Sequence, residues 1–220
     1  MKKNFVAGFT IWMILGGVVG MVHALPILSN GSLTGPISNG GVPTGWSITT
    51  PSPDTMDENN NVGGLNGNFQ ATPSSSPDGG TWVGFARDGS FIETFGQTVT
   101  GFSIGTSYDV SWYHANFGFS TYNGANAIEV LLDGASIGSG SLLGLSTTWV
   151  DEMLSFSATS LSHRIDFRLQ STAKSYHSID GISLYETASG PDPVPEPATM
   201  LLFGTGLLGL AGVSMRRKKK

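Results

Sequence analysis

Between residues 25 and 186 the apolar positions come in short runs, and they alternate with polar ones more often than they repeat at helical spacing. In SYDVSWYH, Tyr108, Val110 and Trp112 share one face of an extended chain, with Asp109, Ser111 and Tyr113 on the other. In AIEVLLDG, Ile128, Val130 and Leu132 point one way and Glu129 the other. Asp133-Gly134 then supplies a tight-turn pair leading into ASIGSG. EMLSFSA sets Leu154, Phe156 and Ala158 against Met153, Ser155 and Ser157. RIDFRLQ does the same with Ile165, Phe167 and Leu169 against Arg164, Asp166, Arg168 and Gln170. TWVGFA and FIETFGQTVTGFSI add earlier strands, and SIDGISLYE closes the series. Six or more short strands separated by turn residues predict an all-β body, a β-sandwich.

The first part of this body is looser. PILSNGSL is a possible opening strand, and Trp46 follows in PTGWSI. A polar stretch rich in Pro, Gly, Asn and Ser then reads as loop, with a short strand expected at 68–72. Glycine supplies 31 of the 220 residues and falls mostly between apolar runs, as turn-rich β proteins require.

The two ends have a different pattern. Lys2 and Lys3 precede an uncharged stretch from Phe5 to Val22, and Val22-His23-Ala24 places small or aliphatic residues before a cut after Ala24. This is the three-part pattern of a secretory signal peptide over 1–24, with an uncleaved anchor as the alternative because the apolar run is long. At the other end, 187–197 is a linker. Ala198 to Met215 is free of charge and, as a helix, would reach about 27 Å, enough for a bilayer core. Arg216, Arg217, Lys218, Lys219 and Lys220 would stay cytoplasmic. Both ends therefore predict one topology, with the body outside the inner membrane and a C-terminal transmembrane helix over 198–220.

Net charge changes the picture of possible partners. The whole chain carries −5, but seven of its eleven basic residues lie in the two end segments. The body keeps only Arg87, Arg164, Arg168 and Lys174 against fourteen acidic residues up to Gly190, a balance of about −10. Nucleic acid and anionic lipid are poor partners for such a surface. Neutral glycans and cations are compatible with it. There is no cysteine, so an exported domain of this kind is held by core, hydrogen bonds or metal.

Val194-Pro195-Glu196-Pro197, the Gly/Leu-rich span after it and the terminal Arg/Lys cluster resemble the PEP-CTERM sorting signal of Gram-negative bacteria. The two prolines keep Glu196 on extended backbone beside the membrane. The resemblance implies an exosortase as the sorting partner. It further implies export by the Sec route, a transient inner-membrane tether, and release to the cell surface or an exopolysaccharide matrix. In the body, the order of SNGSL, PTGW, TVTGFSIGTSYDVSWYHAN, VLLDG, LSFSATS and SIDGISLYE resembles the galactose-binding-like jelly-roll of many carbohydrate-binding modules. That likeness implies architecture more than activity.

Several residues are candidates for chemistry. Asp180 shares strand parity with Ile182 and Leu184 and is expected on the core side, where a lone carboxylate is costly unless paired or metal-bound. The jelly-roll resemblance implies a structural Ca²⁺ there, with Asn30 and Gly31 as further ligands, although Leu33-Thr34 stands where an acidic ligand is common. A structural hydrogen-bonding role for Asp180 is the alternative. Asp57, Asn59 and Asn61 in DENNNVG imitate a calcium loop, but Gly63 comes one place late and Asn68 replaces the closing Glu, so a solvated loop is expected. Gly101-Phe102-Ser103-Ile104-Gly105 fits a nucleophile elbow in letters only, because a strand follows it rather than a helix. Asp151 and Glu152 are adjacent and face opposite sides, and the sequence places no other carboxylates together for glycoside hydrolysis. His114 reads as a satisfied edge residue. Tyr113, Phe117, Phe119 and Tyr122 form a candidate platform for sugar rings, with core packing as the alternative for each. The reading is of a non-catalytic exported protein that binds extracellular polysaccharide or another glycan. The alternative is a purely structural surface or matrix protein, and an enzyme of glycan metabolism stands third.

Overall fold

The computed structural model describes residues 28–59 and 69–187. The signal peptide, the linker beyond Thr187, Val194 to Pro197, the expected transmembrane helix and the basic tail lie outside the described residues, as do Asn61, Gly63 and Asn68. Two antiparallel sheets stack face to face, and no helix occurs among the described residues. One sheet runs β1 (Ser47–Thr50), β5 (Thr94–Thr100), β10 (Ser162–Leu169), β7 (Ile128–Leu132), β8 (Ala135–Ser139). The other runs β2 (Asp54–Met56), β3 (Trp82–Asp88), β11 (Ser175–Glu186), β6 (Ser107–Ala115), β9 (Val150–Ser157), with β4 (Phe91–Ile92) also paired to β3. The sandwich expected from alternation is what the chain forms.

Alternation also explains the main core. Tyr108, Val110 and Trp112 of β6, Ile128 and Val130 of β7, and Ile165, Phe167 and Leu169 of β10 all lie in the layer between the sheets, nearly free of solvent. Phe95 is stacked on Phe167 with centroids 5.9 Å apart, and Trp46 caps both at 5.4 and 6.1 Å. Asp133 (φ 51°) and Gly134 (φ 84°) make the tight turn from β7 to β8, the left-handed pair that matches strand twist.

Three local expectations change. PILSNGSL does not open with a strand in its described part: Asn30 and Leu33 both take positive φ, and the Leu33 N–H donates to Asn30 O within one turn. Conversely, Ser47–Thr50 and Asp54–Met56 are strands where loop is expected. Both are too short and polar to show a period, yet each pairs in register with a long neighbour, β5 or β3. No strand forms at 69–72, but the Gln70 and Ala71 N–H groups both donate to Phe117 O and tie that segment down.

A second apolar cluster covers the outer face of the β2–β9 sheet. Met56, Trp82, Ala86, Ala115, Phe117, Phe119 and Tyr176 are buried there, with Phe69, Tyr122 and Trp149 packed against them. The long connection from β6 to β7 supplies Phe117, Phe119 and Tyr122 and so acts as a lid on that face.

Candidate functional site: an aromatic cleft over two buried carboxylates

At the β2 edge of this outer face the lid leaves a cleft of about 350 Å³. Phe91 on β4 and Phe119 and Tyr122 on the lid give it aromatic walls, and Tyr176 on β11 joins its floor. Asp54 on β2 and Glu93, between β4 and β5, form its polar floor, with Asn39, Ser52 and Ser120 at the mouth. Phe91 is the exposed rim, at 45% of its full surface. Phe119 and Tyr176 pack with ring centroids 5.0 Å apart. Tyr122 carries the Lys174 ammonium 4.5 Å from its ring centre, and the same ammonium lies 3.7 Å from Asp88.

The two carboxylates are almost fully buried and each is satisfied at both oxygens. Asp54 Oδ1 accepts the Gly40 N–H at 2.7 Å, and Oδ2 accepts the Tyr176 hydroxyl at 2.8 Å. Glu93 Oε2 accepts the Ala86 N–H at 2.6 Å, and Oε1 accepts the Ser52 N–H at 3.1 Å. Burial pushes the Glu93 carboxyl up to about 8; the two backbone donors oppose the shift, and the neighbouring Asp54 charge adds to it. Burial raises Asp54 as well, against its hydrogen bonds from Gly40 and Tyr176. The Tyr176 phenol is driven upward by its own burial and by both carboxylates. Gly84 makes the floor possible, since an added Cβ there would lie 2.4 Å from the Tyr176 hydroxyl oxygen.

The predicted platform is split by this arrangement. Phe119 and Tyr122 line the cleft. Phe117 is buried in the second cluster, tilted against Trp82 and edge-on to Trp149. Tyr113 does lie opposite Trp112, but its ring packs where a Cβ on Gly181 would be, away from the cleft. The floor itself was not legible: Asp54 sits in a three-residue strand and Glu93 between two strands, and only the β2–β3–β4 pairing brings them together.

Asp180 is fully buried, but not in the inter-sheet core. Ile179 and Ile182, three residues apart, both face that core, because the alternation skips at Gly181, which adopts φ +56°. Asp180 therefore turns to the opposite side, where Ser76 Oγ donates to its Oδ2 and Oδ1 has no partner. Burial raises it to about 7, against the Ser76 and Gly181 hydrogen bonds, with nearby Asp78 adding to the rise. The opening loop does reach β11. Gly31 O accepts the Ile182 N–H at 2.8 Å, Asn30 Oδ1 accepts the Thr34 N–H, and Asn30 O accepts the Trp46 indole. Asp180 Oδ1 has no hydrogen-bond partner, while each of these loop oxygens accepts an internal hydrogen bond. Among the described residues no three His, Cys, Asp or Glu side chains are grouped to hold a metal ion.

His114 departs from expectation. It lies on a central strand rather than an edge, fully buried, with Nε2 2.7 Å from His177 Nδ1. His177 Nε2 lies 3.3 Å from Gly124 O, which fixes the tautomers: His177 Nε2–H donates to Gly124, His114 Nε2–H donates to His177, and His114 Nδ1 is left as an unpartnered acceptor. Burial holds His177 down to about 4, and burial with the facing His177 holds His114 well below the usual range. The Gly101–Gly105 stretch is the turn into β6, so no nucleophile elbow forms. Asn59 N–H caps Asp57 Oδ1 at 2.8 Å in the described part of DENNNVG, a loop closure.

A family model described as the PEP-CTERM protein-sorting motif matches residues 193–218. The chain carries a PEP-CTERM sorting signal. No curated protein matches the sequence. Among solved structures, the chain is similar to an arabinose-bound α-L-arabinofuranosidase, MgGH51, at 15% identity and TM-score 0.51, over 77% of this chain and 27% of that one. It is similar to the Stig cyclase Fisc from Fischerella sp. TAU, in complex with a pyrrolidinylidene-indole, at 15% identity and TM-score 0.52, over 76% of this chain and 98% of that one. TmCBM61, solved with β-1,4-galactotriose, is similar at 17% identity and TM-score 0.42, over 66% and 90%. The chain thus spans about a quarter of the arabinofuranosidase and nearly all of the cyclase. At such identities the likeness establishes the jelly-roll fold of the body and nothing of its chemistry.

Proposed function

We propose that this PEP-CTERM chain is a non-catalytic glycan-binding module, sorted by an exosortase to the cell surface or extracellular matrix and contacting polysaccharide through the cleft at the β2 edge. The observation that carries the reading is the cleft itself: a concave site with three aromatic rings for the apolar faces of sugars, over a floor of fixed polar groups. Both cleft carboxylates are held at both oxygens by internal donors, which fixes them in place as a binding floor. The exported address suits a polysaccharide ligand, as does the acidic, cysteine-free body.

The test is retention of the full chain, held in a polyoxyethylene detergent, on a panel of immobilised polysaccharides. Retention on at least one polysaccharide, weakened about tenfold or more by Tyr122→Ala, supports the reading. No retention on any member of the panel refutes it.

A further inference from the structure

The cleft floor brings two carboxyl groups together. Backbone N–H groups of Gly40, Ala86 and Ser52 donate to three of their four oxygens, and the Tyr176 hydroxyl, which can donate or accept, meets the fourth. None of the lining residues is Lys, Arg or His, so nothing in the lining balances a charge on them. The one ammonium nearby, Lys174, stands over Tyr122 and toward Asp88, and it is not among the cleft's lining residues. The floor therefore offers two buried carboxyl groups that an incoming cation would hold in the ionised form. The walls are Phe91, Phe119 and Tyr122, whose ring faces attract cations as well as sugar faces. Each carboxylate retains lone pairs beyond the two it uses, so a cation in the cleft can be bonded as well as attracted.

We infer that the ligand of this cleft is an amine-bearing glycan, a chain of hexosamine units with free amino groups, whose ammonium sits over Asp54 and Glu93 while the ring lies against the aromatic walls. This rests on the glycan-binding reading and narrows it. Anionic, uronate-type polysaccharides are excluded by the same charge. A second consequence concerns protons. Glu93, raised to about 8 by burial and by Asp54, is mostly protonated in the empty cleft near neutrality. An entering ammonium reverses the electrostatic balance and expels that proton. Asp54, Glu93, Tyr176, Tyr122 and, across Tyr122, Lys174 with Asp88 are the titratable groups that face or border the site.

The experiment is calorimetric titration of the full chain in detergent, at about pH 5.5 and physiological salt, with three probes: the β-1,4-linked glucosamine tetramer, its N-acetylated counterpart, and tetralysine. At that pH the amines of the first and third probes are charged before they bind, so the proton count reports the protein. Running each titration in two buffers of different ionisation enthalpy counts protons. The expected result is at least tenfold tighter binding of the free-amine tetramer than of the N-acetylated one, with close to one proton released per site. Asp54→Asn is expected to lower that affinity tenfold or more. Because it disturbs an acceptor inside the fold, the proton count on the unaltered protein and the rim variant Phe91→Ala, which weakens both sugars, serve as independent readouts. Equal or tighter binding of the N-acetylated tetramer, without proton release, overturns the amine assignment and leaves glycan binding standing. Tetralysine binding as tightly with the same release overturns the sugar half. If neither tetramer binds, the inference fails, and the glycan-binding reading falls with it only if the polysaccharide panel is also blank.

Discussion

Buried ionisable residues dominate the chemistry of single positions in this protein, and they work in opposite directions. His177, held down to about 4, and His114, also lowered, bind fewer protons folded than unfolded. Their stabilising contribution is present above the ordinary histidine value and is lost as pH falls from about 6.5 toward 4. For His177 alone this amounts to at most about 3 kcal/mol. Glu93 and Asp180, raised to about 8 and about 7, behave the other way. Their contribution is complete below the ordinary carboxyl range and is lost as pH rises through those values. Two outcomes follow. Imidazole nitrogen shifts in NMR should show His177 neutral at pH 5, and titration near 6.5 would contradict the buried chain of hydrogen bonds to Gly124. Asp180→Asn should raise the melting temperature at pH 8 more than at pH 5, because it removes a charge that burial opposes; an equal change at both would place Asp180 in a paired site. Sequence reading found Asp180 and His114 as residues to weigh, but not their surroundings. Parity put Asp180 on the core side, and only the skipped alternation at Gly181 reverses it. A glycine in a strand signals such an irregularity without saying which way the chain turns.

At the scale of strands, what was legible depended on length and on burial of one face. β6, β7, β9 and β10 carry clean alternation because each puts a row of large side chains into the layer between the sheets, and β11 does so until it skips at Gly181. β1 and β2 are only four and three residues of mostly Ser, Thr and Asp, and no period can be read from so few positions. Their pairing is decided by long neighbours, and it is β2 that brings Asp54 into the cleft. Backbone irregularity is the other feature that the pattern hides, and it can be tested by substitution. Gly134 and Gly181 both hold positive φ, but a Cβ on Gly134 meets open space, whereas one on Gly181 would lie 2.6 Å from the Tyr113 ring. Gly134→Ala should cost about 1 kcal/mol and Gly181→Ala about 1–3 kcal/mol more, measured by denaturant unfolding. Equal costs would mean the ring moves aside freely. The buried and the exposed aromatic residues of this outer face should separate in the same assay. Phe117→Ala empties a fully buried site and should cost about 3–5 kcal/mol, while Phe91→Ala at the exposed rim should fall within about 1 kcal/mol.

Taken as a whole, the molecule joins an address to a site. The address, residues 193–218, was legible in the sequence because sorting signals are read as linear patterns: Pro-Glu-Pro, a greasy span, a basic end. The fold was legible because a sandwich writes its period into every long strand. The cleft was not, since its floor and walls come from five separate stretches of chain that meet only after both the sheet and its lid are built. Sorting makes its own prediction. The mass of the surface-released protein should lack Arg216 to Lys220, and Glu196→Ala should leave the full-length chain in the membrane fraction; release of an intact tail would mean the segment is not processed. Polysaccharide bound in the aromatic cleft should be visible in hydrogen–deuterium exchange of the full chain, compared with and without a polysaccharide that retains it. Slowed exchange is expected at 89–95 and 117–124, the rim and lid of the cleft. Protection confined to other surfaces, or none at all, would contradict binding there.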